Sequence, residues 1–454
     1  MSTLFTPDQV VTGRRRFHIF MSFNVLAFSI LTGNVISVFA LELGVNNTYI
    51  GLLQSFMHLS MVFLIVGRAL MQRMSYVRVF AVGWLIRYVF ASLLLLIPLV
   101  PGRDDAAGIA GVIILVAMGG FHVFRGVGLA GQVPIVGGLA SGADRGRFLS
   151  VNSVLANGIA LIGGLVIALL LGRDAPLQRF IYFFAFAILC GYVSVFQVWK
   201  LPEPRRSAEA TFASFLSDIR SVASDVRLRR FLTYLVFFAL AMSVSAAFLV
   251  VISKRVFGLP DNFTILLVAI GNFGAVASGL LNRRLIDRLG PKPLVVFYQL
   301  TALIVTLFIV AVVARATGPG HAIMVVAFFF SAASQSGLFV AGQAYYFSLY
   351  AEQKHANLGL LYSLVNGVVG TVASYSGGVL LDAFEARYAL PDAIRRLFLI
   401  LAAVTTVALV LAWSLPLEGQ RQSRMRRRLR ALLIVLRRGA SRGGASRGGA
   451  SRGE

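Results

Sequence analysis

The sequence predicts an all-α membrane protein with twelve transmembrane helices, arranged as two related six-helix halves. Three observations lead to this prediction: the composition, the number of long apolar runs and a set of motifs that recur at one offset. Hydrophobic residues make up 58% of the 454 residues and charged residues only 13%, whereas a soluble domain carries about 25% charged residues. Most of the chain must therefore face lipid or other apolar helices.

Twelve apolar runs are long enough to cross a bilayer, which takes about 20 helical residues. We place these spans near residues 17–41, 48–68, 78–100, 109–138, 148–171, 178–199, 230–253, 262–283, 293–314, 321–348, 357–382 and 396–416. The chain then divides into an N-terminal segment, a first six-helix bundle, a linker, a second six-helix bundle and a tail, at residues 1–16, 17–199, 200–229, 230–416 and 417–454.

The distribution of lysine and arginine predicts the orientation. If the first segment is cytoplasmic, the cytoplasmic segments hold 31 of these residues and the opposite side holds 9, and without the tail the ratio is still 20 to 9. Because basic loops stay in the cytoplasm, we expect both termini there, in a bacterial inner membrane. The same distribution explains the net charge of +24 without nucleic acid as a partner. The first apolar run is too long for the core of a signal peptide.

Two segments outside the spans have amphipathic patterns. In the linker, apolar residues recur at helical spacing from Phe212 to Val222, which predicts a surface helix at the cytoplasmic interface. Residues 424–438 form a short basic amphipathic segment that is expected to rest on anionic lipid headgroups. The remaining tail, 439–454, repeats Gly, Ala, Ser and Arg and is predicted to be disordered.

Short motifs recur in the two halves. Ala130-Gly131-Gln132 in span 4 matches Ala341-Gly342-Gln343 in span 10, and Asn157-Gly158 in span 5 matches Asn366-Gly367 in span 11. Residues 70–75 after span 2 also align with residues 285–290 after span 8, and the three offsets are 211, 209 and 215. Two parallel repeats around an axis normal to the membrane place a solute site near the midplane.

The loop after span 8 reads Asp287-Arg288-Leu289-Gly290-Pro291-Lys292. It resembles the cytoplasmic loop signature of the major facilitator superfamily. The resemblance implies a conformational latch formed by Asp287, Arg288, Gly290 and Lys292, with Arg73 in the first-half copy, where Gln72 replaces the aspartate and Ser75 the glycine. The run from Arg125 to Gly131 is similar to the family's span-4 motif, whereas the proline-glycine motif of antiporters is missing from span 5. The resemblance covers residues 15–416 and implies that spans 1, 4, 7 and 10 line a central cavity.

Polar residues in these four spans are the candidates for solute contact. His122, Arg125 and Gln132 share one stripe of span 4; Arg125 would bind an anionic or hydroxyl-rich solute, and His122 could accept a proton. In span 10, Gln335 can both donate and accept hydrogen bonds, which suits sugars and nucleosides. Asn24 and Asn34 in span 1 fit solute contact and helix pairing equally well. For all of them the alternative is bonding between helices.

The acidic residues limit how transport could be driven. All 18 lie in loops or near span ends, Glu42 and Asp382 among the latter. Without a carboxylate near the midplane, proton coupling would need His58 or His122. Facilitated diffusion, or coupling through the solute's own charge, is the simpler hypothesis. Arg87 in span 3 is expected to pair structurally.

The residues also bear on the class of protein. Loops are too short for a catalytic domain, and the sequence has no nucleophilic, phosphate-binding or metal-ligating constellation, so neither catalysis nor a cofactor or metal is expected. We therefore predict a secondary transporter of a small polar solute, a sugar, nucleoside or organic anion, acting as a monomer among membrane lipids. A lipid flippase, a drug efflux pump and a non-transporting receptor are the alternatives.

Overall fold

The computed structural model describes residues 5–32, 34–100, 106–140, 145–173, 175–204, 220, 225–313, 320–349 and 355–416. Structural statements below concern these residues. The predicted linker helix, the basic segment and the tail lie almost wholly outside them, and so do the side chains of Asn34 and Asp287.

The described chain forms twelve helices and no strand. They are α1 (Pro7–Glu42), α2 (Asn47–Leu70), α3 (Tyr76–Leu99), α4 (Ala106–Leu139), α5 (Arg145–Leu171), α6 (Leu177–Trp199), α7 (Val226–Val256), α8 (Asp261–Leu289), α9 (Pro291–Val313), α10 (Gly320–Ser348), α11 (His355–Glu385) and α12 (Leu390–Ser414). Eleven are long and apolar enough to cross a membrane, and the apolar part of α5, Leu155–Leu171, is shorter. The predicted all-helical fold is confirmed.

Three helices depart from regular α-helical geometry along their length. Helix α1 breaks after Leu31 and resumes at Asn34. At the break, the hydroxyl of Thr32 donates to the carbonyl of Phe28 at 2.6 Å. This carbonyl therefore accepts from the side chain of Thr32 as well as from its backbone N–H group. Helix α3 ends in a 3-10 turn that contains Pro98, which cannot donate a backbone hydrogen bond. Helix α7 closes with a π-helical turn, Ile252–Val256.

The helices extend beyond the predicted spans because caps satisfy their ends outside the apolar region. Helix α1 begins at Pro7, ten residues before the predicted span, with Thr6 and Gln9 forming a reciprocal capping box. Helix α8 continues to Leu289 and ends at Gly290, whose φ of 77° suits glycine. Hydropathy detects the lipid-facing part of a helix and misses such polar extensions.

We call the side that carries the start of α1 and the end of α12 the terminal face, and the opposite side the distal face. At the terminal face, Nε of Arg14 donates to the carbonyl of Leu139 at 2.9 Å. In the second half, the ammonium group of Lys292 donates to the carbonyl of Leu415. In each half, a hydrogen bond at the terminal face thus joins the start of one helix to the end of another.

The two halves meet mainly where α2 packs against α11 and α5 against α8. Small residues allow the α2–α11 contact: a Cβ atom added at Gly51 would lie 2.4 Å from the carbonyl oxygen of Ser374, and one added at Gly378 would lie 2.5 Å from that of Asn47. Gly370, Ser374 and Gly378 recur at four-residue spacing in α11, a pattern that allows close helix approach in membranes. The α2–α11 contact is the more extensive of the two.

Candidate functional site

In the first half, a small pocket lies between α1, α2 and α4. It is lined by Thr32, Ile36, Leu53, Gln54, Met57, Met118 and His122. His122 is only 4% exposed, and its Nδ1 atom has no hydrogen-bond partner among the described residues. The rings of Phe28 and Phe121 stand edge-on to the imidazole, at centroid distances of 6.4 and 5.3 Å. The Nδ1 atom of His122 is therefore available to bond another group, although its surroundings are apolar.

Arg125 lies one turn further along α4. Its NH1 group donates to the hydroxyl of Ser60 in α2 at 2.7 Å, and its guanidinium carbon lies 5.0 Å from the centroid of the Phe28 ring in α1. The side chain is half-buried. Arg125 therefore joins the three helices that form the pocket, and a guanidinium carries five donors of which Ser60 takes one.

Arg87 is fully buried in α3. Aromatic rings enclose its guanidinium group, at 4.1 Å for Phe121, 4.6 Å for Trp84, 4.7 Å for Tyr88 and 5.9 Å for Phe28. One NH2 group donates to the hydroxyl of Tyr88 at 3.3 Å, and Nε has no partner among the described residues. The structure thus pairs Arg87 with π-systems and a phenol rather than with an acid.

Two of the other predicted contact residues are placed differently. The side-chain oxygen of Asn24 accepts hydrogen bonds from Nε1 of Trp84 at 2.9 Å and from the hydroxyl of Tyr88 at 3.3 Å. Asn24 therefore ties α1 to α3, which is the helix-pairing alternative. Gln132 is half-buried two turns beyond Arg125, towards the terminal face.

In the second half, a polar cavity of about 180 Å³ lies between α7, α8, α9 and α10. Gln335 lines it, together with Asn272, Ser245, Ser331 and Thr306. Helices α7, α8 and α10 are the counterparts of α1, α2 and α4, so the two pockets occupy equivalent positions in the two halves. Sequence reasoning missed Asn272, although a lone amide in the apolar run of α8 was a usable signal.

His58 lies at the boundary between the halves. A Cβ atom added at Gly370 of α11 would lie 2.5 Å from Nδ1 of His58 and 3.0 Å from the hydroxyl of Ser243 in α7. The imidazole therefore fills the space that the missing side chain leaves. This places His58 apart from the lining of either pocket and against the second half.

The structure describes the predicted latch in part. Gly290 turns the chain between α8 and α9, while Lys292 binds the end of α12. Arg288 and Arg73 are exposed. In the first half a different group holds the equivalent turn: the carboxylate of Glu203 accepts the backbone N–H groups of Tyr76 and Val77 at 2.7 and 3.0 Å. An anion at the start of α3 is favoured by the helix dipole.

A polar network joins the halves at the distal face. Lys254 lies 3.0 Å from Glu42 and also pairs with Asp261. Asp261 in turn binds the loop between α5 and α6: its N–H group donates to the carbonyl of Arg173 at 3.0 Å, and its carboxylate accepts from the N–H group of Ala175 at 3.3 Å.

The network continues along the α2–α11 contact. The amide of Asn47 donates to Asp382 and to Glu385, each at 2.8 Å, and the N–H group of Thr48 donates to Asp382 at 2.8 Å. Arg255 donates to the side-chain oxygen of Asn47 at 3.0 Å. These contacts, which we call the distal network together with the Lys254 and Asp261 pairs, join the two halves at the distal face. At the terminal face, Arg68 of α2 donates to Asn357 of α11 at 2.8 Å.

Two apolar grooves flank the helical bundles. One, of about 670 Å³, lies between α1, α5 and α6 and has Arg179 and Tyr182 in its lining. The other, of about 480 Å³, lies between α7, α11 and α12. The grooves are equivalent in the two halves, and they are almost wholly apolar.

Comparisons with known proteins agree with this architecture. A family model described as the Major Facilitator Superfamily matches residues 17–315 and, in a second match, residues 257–440. A search of curated proteins gives no match.

Several solved structures share the fold. A mutant of the nucleoside transporter NupG is 12% identical with a TM-score of 0.71, covering 88% of this chain and 99% of that one. The D-xylose-proton symporter is 13% identical with a TM-score of 0.68, covering 89% and 98%. A bacterial homologue of the human lysosomal transporter Spinster, in an inward-facing unoccupied conformation, is 13% identical with a TM-score of 0.65, covering 90% and 97%. At such low identity the likeness shows the fold alone.

Proposed function

The chain belongs to the major facilitator superfamily, and from this premise we propose that it carries a small polar solute across the membrane by alternating access. The solute binds between the halves, with one side against α4 and the other against α10. The observation that carries this proposal is the pair of equivalent pockets, one lined by His122 and Gln54 and the other by Gln335 and Asn272. Polar groups buried in a membrane bundle usually face a cavity or a solute path.

The distal network supports alternating access. Its hydrogen bonds and ion pairs join α1, α2 and the α5–α6 loop of one half to α7, α11 and α8 of the other, so they must separate for the distal face to open. We propose that the bundles 17–199 and 230–416 are closed at the distal face while this network is formed. The proposed cycle rocks each bundle as a unit around the solute.

We also propose that the terminal face is cytoplasmic and that the protein acts as a monomer in a bacterial inner membrane. The excess of lysine and arginine on the terminal side supports this orientation. Cysteines introduced at Asp8 and at Val45, in a Cys190→Ser background, test it with a membrane-impermeant maleimide on intact cells. Val45 should react and Asp8 should react only after lysis; the reverse pattern contradicts the orientation.

The experiment that tests transport is solute uptake into proteoliposomes that contain the purified full chain. A panel of sugars, nucleosides and organic anions is first screened for thermal stabilisation of the protein, and each stabilising solute is then tested for flux. Gln335→Ala should weaken both stabilisation and flux, whereas Thr301→Ala on the exposed side of α9 should change neither. Binding without flux would indicate a receptor instead.

A lipid flippase is the second candidate, because the two apolar grooves offer room for acyl chains. Stabilisation by lysolipids but by none of the polar solutes would favour it. The grooves lie outside the two polar pockets, so a tryptophan in one groove, at Gly163, should block lipid movement and leave movement of a polar solute intact. That variant separates the two candidates.

A further inference from the structure

Resting on the proposed transport function, we infer that the solute is a small organic anion whose carboxylate or phosphate group binds Arg125. The inference names the chemical class of solute for the site between α4 and α10. It follows from an excess of positive charge within the helices of the first half and from the absence of charged groups in the lining of the second pocket.

The first step concerns Arg87, which is buried, and Arg125, which is half-buried. The Cζ atom of Arg87 lies 5.9 Å from the centroid of the Phe28 ring and that of Arg125 lies 5.0 Å from it, so the two guanidinium groups are at most about 11 Å apart. The sequence has no aspartate or glutamate in residues 9–41, 43–103 or 106–143. The interiors of α1 to α4 therefore contain two permanent cations and no carboxylate.

The second step concerns energy. Removing a cation from water costs several kcal/mol unless an opposite charge compensates it, and each aromatic ring returns about 0.5–2 kcal/mol. The rings around Arg87 offset part of that cost. Arg125 has the Phe28 ring and one hydrogen bond to Ser60 among the described residues, so the positive potential around it remains largely uncompensated. An anion brought there by the solute would neutralise it.

The third step concerns geometry. The fork of donors on a guanidinium matches the paired oxygens of a carboxylate or phosphate. His122 stands one turn away on the same helix, with Nδ1 unpartnered, and can bond a further oxygen of the same group. Arg87 is fully enclosed, so it acts on the anion through its field rather than by contact; it is a positioning residue.

The lining of the second pocket indicates which chemical groups the rest of the solute would carry. Its lining offers the amides of Gln335 and Asn272 and the hydroxyls of Ser245, Ser331 and Thr306, and no charged group. Such groups bind hydroxyls and amides. A solute that reached both Arg125 and this pocket would be bipolar, with an anionic end towards α4 and a hydroxyl-bearing body towards α10. Sugar phosphates, sugar acids and nucleotides have this form.

The test uses matched pairs that differ only in the anionic group: ribose with ribose 5-phosphate, glucose with glucuronate, and uridine with its 5′-monophosphate. Affinities are measured by thermal stabilisation and by isothermal titration on the purified full chain, and fluxes are measured in proteoliposomes. At least one anionic member should bind about 10-fold or more tightly than its neutral partner. Its preference should weaken with ionic strength less than that of a surface site, because buried charges are poorly screened.

Variants locate the effect. Arg125→Gln should weaken binding of the anion about 10- to 100-fold, the loss expected for a charge-assisted contact, and leave the neutral partner unchanged. Arg125→Lys should keep the charge and recover part of the affinity. Arg395→Gln is the matched control, because it removes an exposed arginine from the start of α12; anion preference should not change.

Three outcomes overturn the inference: tighter binding of the neutral members, equal binding of both members of every pair, or anion preference that survives Arg125→Gln. In the first two cases transport of a polar solute still stands. If no member of any pair binds or moves, the proposed function itself fails. If Arg125→Gln does not fold, the comparison of pairs on the unaltered protein decides alone.

Discussion

The ammonium group of Lys254 lies 3.0 Å from a carboxylate oxygen of Glu42, and this ion pair joins the last turn of α7 to the last turn of α1. Lys254 also pairs with Asp261, whose side chain is only 2% exposed. The lysine thus compensates a buried carboxylate of its own half and reaches across to the other half. This double role makes it the most informative position at which to perturb the closed distal face.

Lys254→Met should open the distal face, because the Asp261 carboxylate would remain buried without a cation, a cost of about 3–5 kcal/mol. Glu42→Gln is the matched control: Glu42 is more exposed, with 37% of its side chain accessible, and its loss should cost about 1 kcal/mol or less. Ser37→Cys, buried in the distal segment of α1, serves as the reporter in a Cys190→Ser background. Its rate of maleimide labelling from the distal side should rise strongly with Lys254→Met and slightly with Glu42→Gln. Equal rates in all three proteins would contradict this role.

Gly126→Ala should push α4 away from α2. A Cβ atom at Gly126 would lie 2.0 Å from the carbonyl oxygen of Ser60, the residue that also binds Arg125. Overpacking of this kind costs about 1–3 kcal/mol, and solute affinity should fall with it. Gly137→Ala in the same helix meets no atom within 4 Å and should stabilise the helix by about 0.5–1 kcal/mol. Thermal unfolding in detergent compares the two; an equal effect would mean that α4 and α2 are not in close contact.

Asn24→Ala should lower stability and leave solute affinity nearly unchanged. Its side-chain oxygen is the acceptor for Trp84 and Tyr88, and a buried donor left unpaired costs about 1–3 kcal/mol. Ser22→Ala on the same helix removes only a hydroxyl bonded to the backbone of its own helix and should be nearly neutral. A large rise in the dissociation constant with intact stability would instead place Asn24 against the solute.

Glu203→Ala should destabilise the start of α3 by about 1–2 kcal/mol, the range for loss of a helix cap. Two backbone N–H groups would lose their acceptor. Glu203→Gln keeps an acceptor oxygen and loses the charge, so about half the effect is expected. The free energy of unfolding in a denaturant titration measures both. A larger effect of glutamine than of alanine would argue against capping.

The sequence was sufficient for the helical fold and for the number of helices, because long apolar runs depend on composition alone. The small residues Gly370, Ser374 and Gly378 predict that α11 approaches another helix closely, but only the structure shows that α2 is a partner. The sequence could not show which polar residues meet. Glu42 was recognised as a carboxylate at a span end, but its partner Lys254 lies in the other half of the chain. Asn24 fitted two roles equally until Trp84 was seen to bind it.

For the candidate site, the sequence likewise predicted features within one helix and not the contacts between helices. The stripe of His122 and Arg125 is a property of helical spacing in α4, and it could be read directly. The aromatic enclosure of Arg87 could not, since Phe28, Trp84 and Phe121 come from three helices. Ser60 is a small residue and Asn272 an amide residue, each in an apolar run. Their roles depend on which residues of other helices face them, and the sequence does not show this.

The two main contacts between the halves, α2 with α11 and α5 with α8, differ in extent, and the difference bears on how the halves move. Helices α2 and α11 are bonded near both of their ends, by Asn47 with Asp382 at 2.8 Å and by Arg68 with Asn357 at 2.8 Å, whereas α5 meets α8 over a shorter stretch. We expect the halves to rock about the middle of the α2–α11 contact, so that the bonds at its distal end break when the distal face opens and the Arg68–Asn357 bond breaks when the terminal face opens. A disulfide between α2 and α11 at mid-height should therefore spare turnover, whereas one between their distal ends should arrest it.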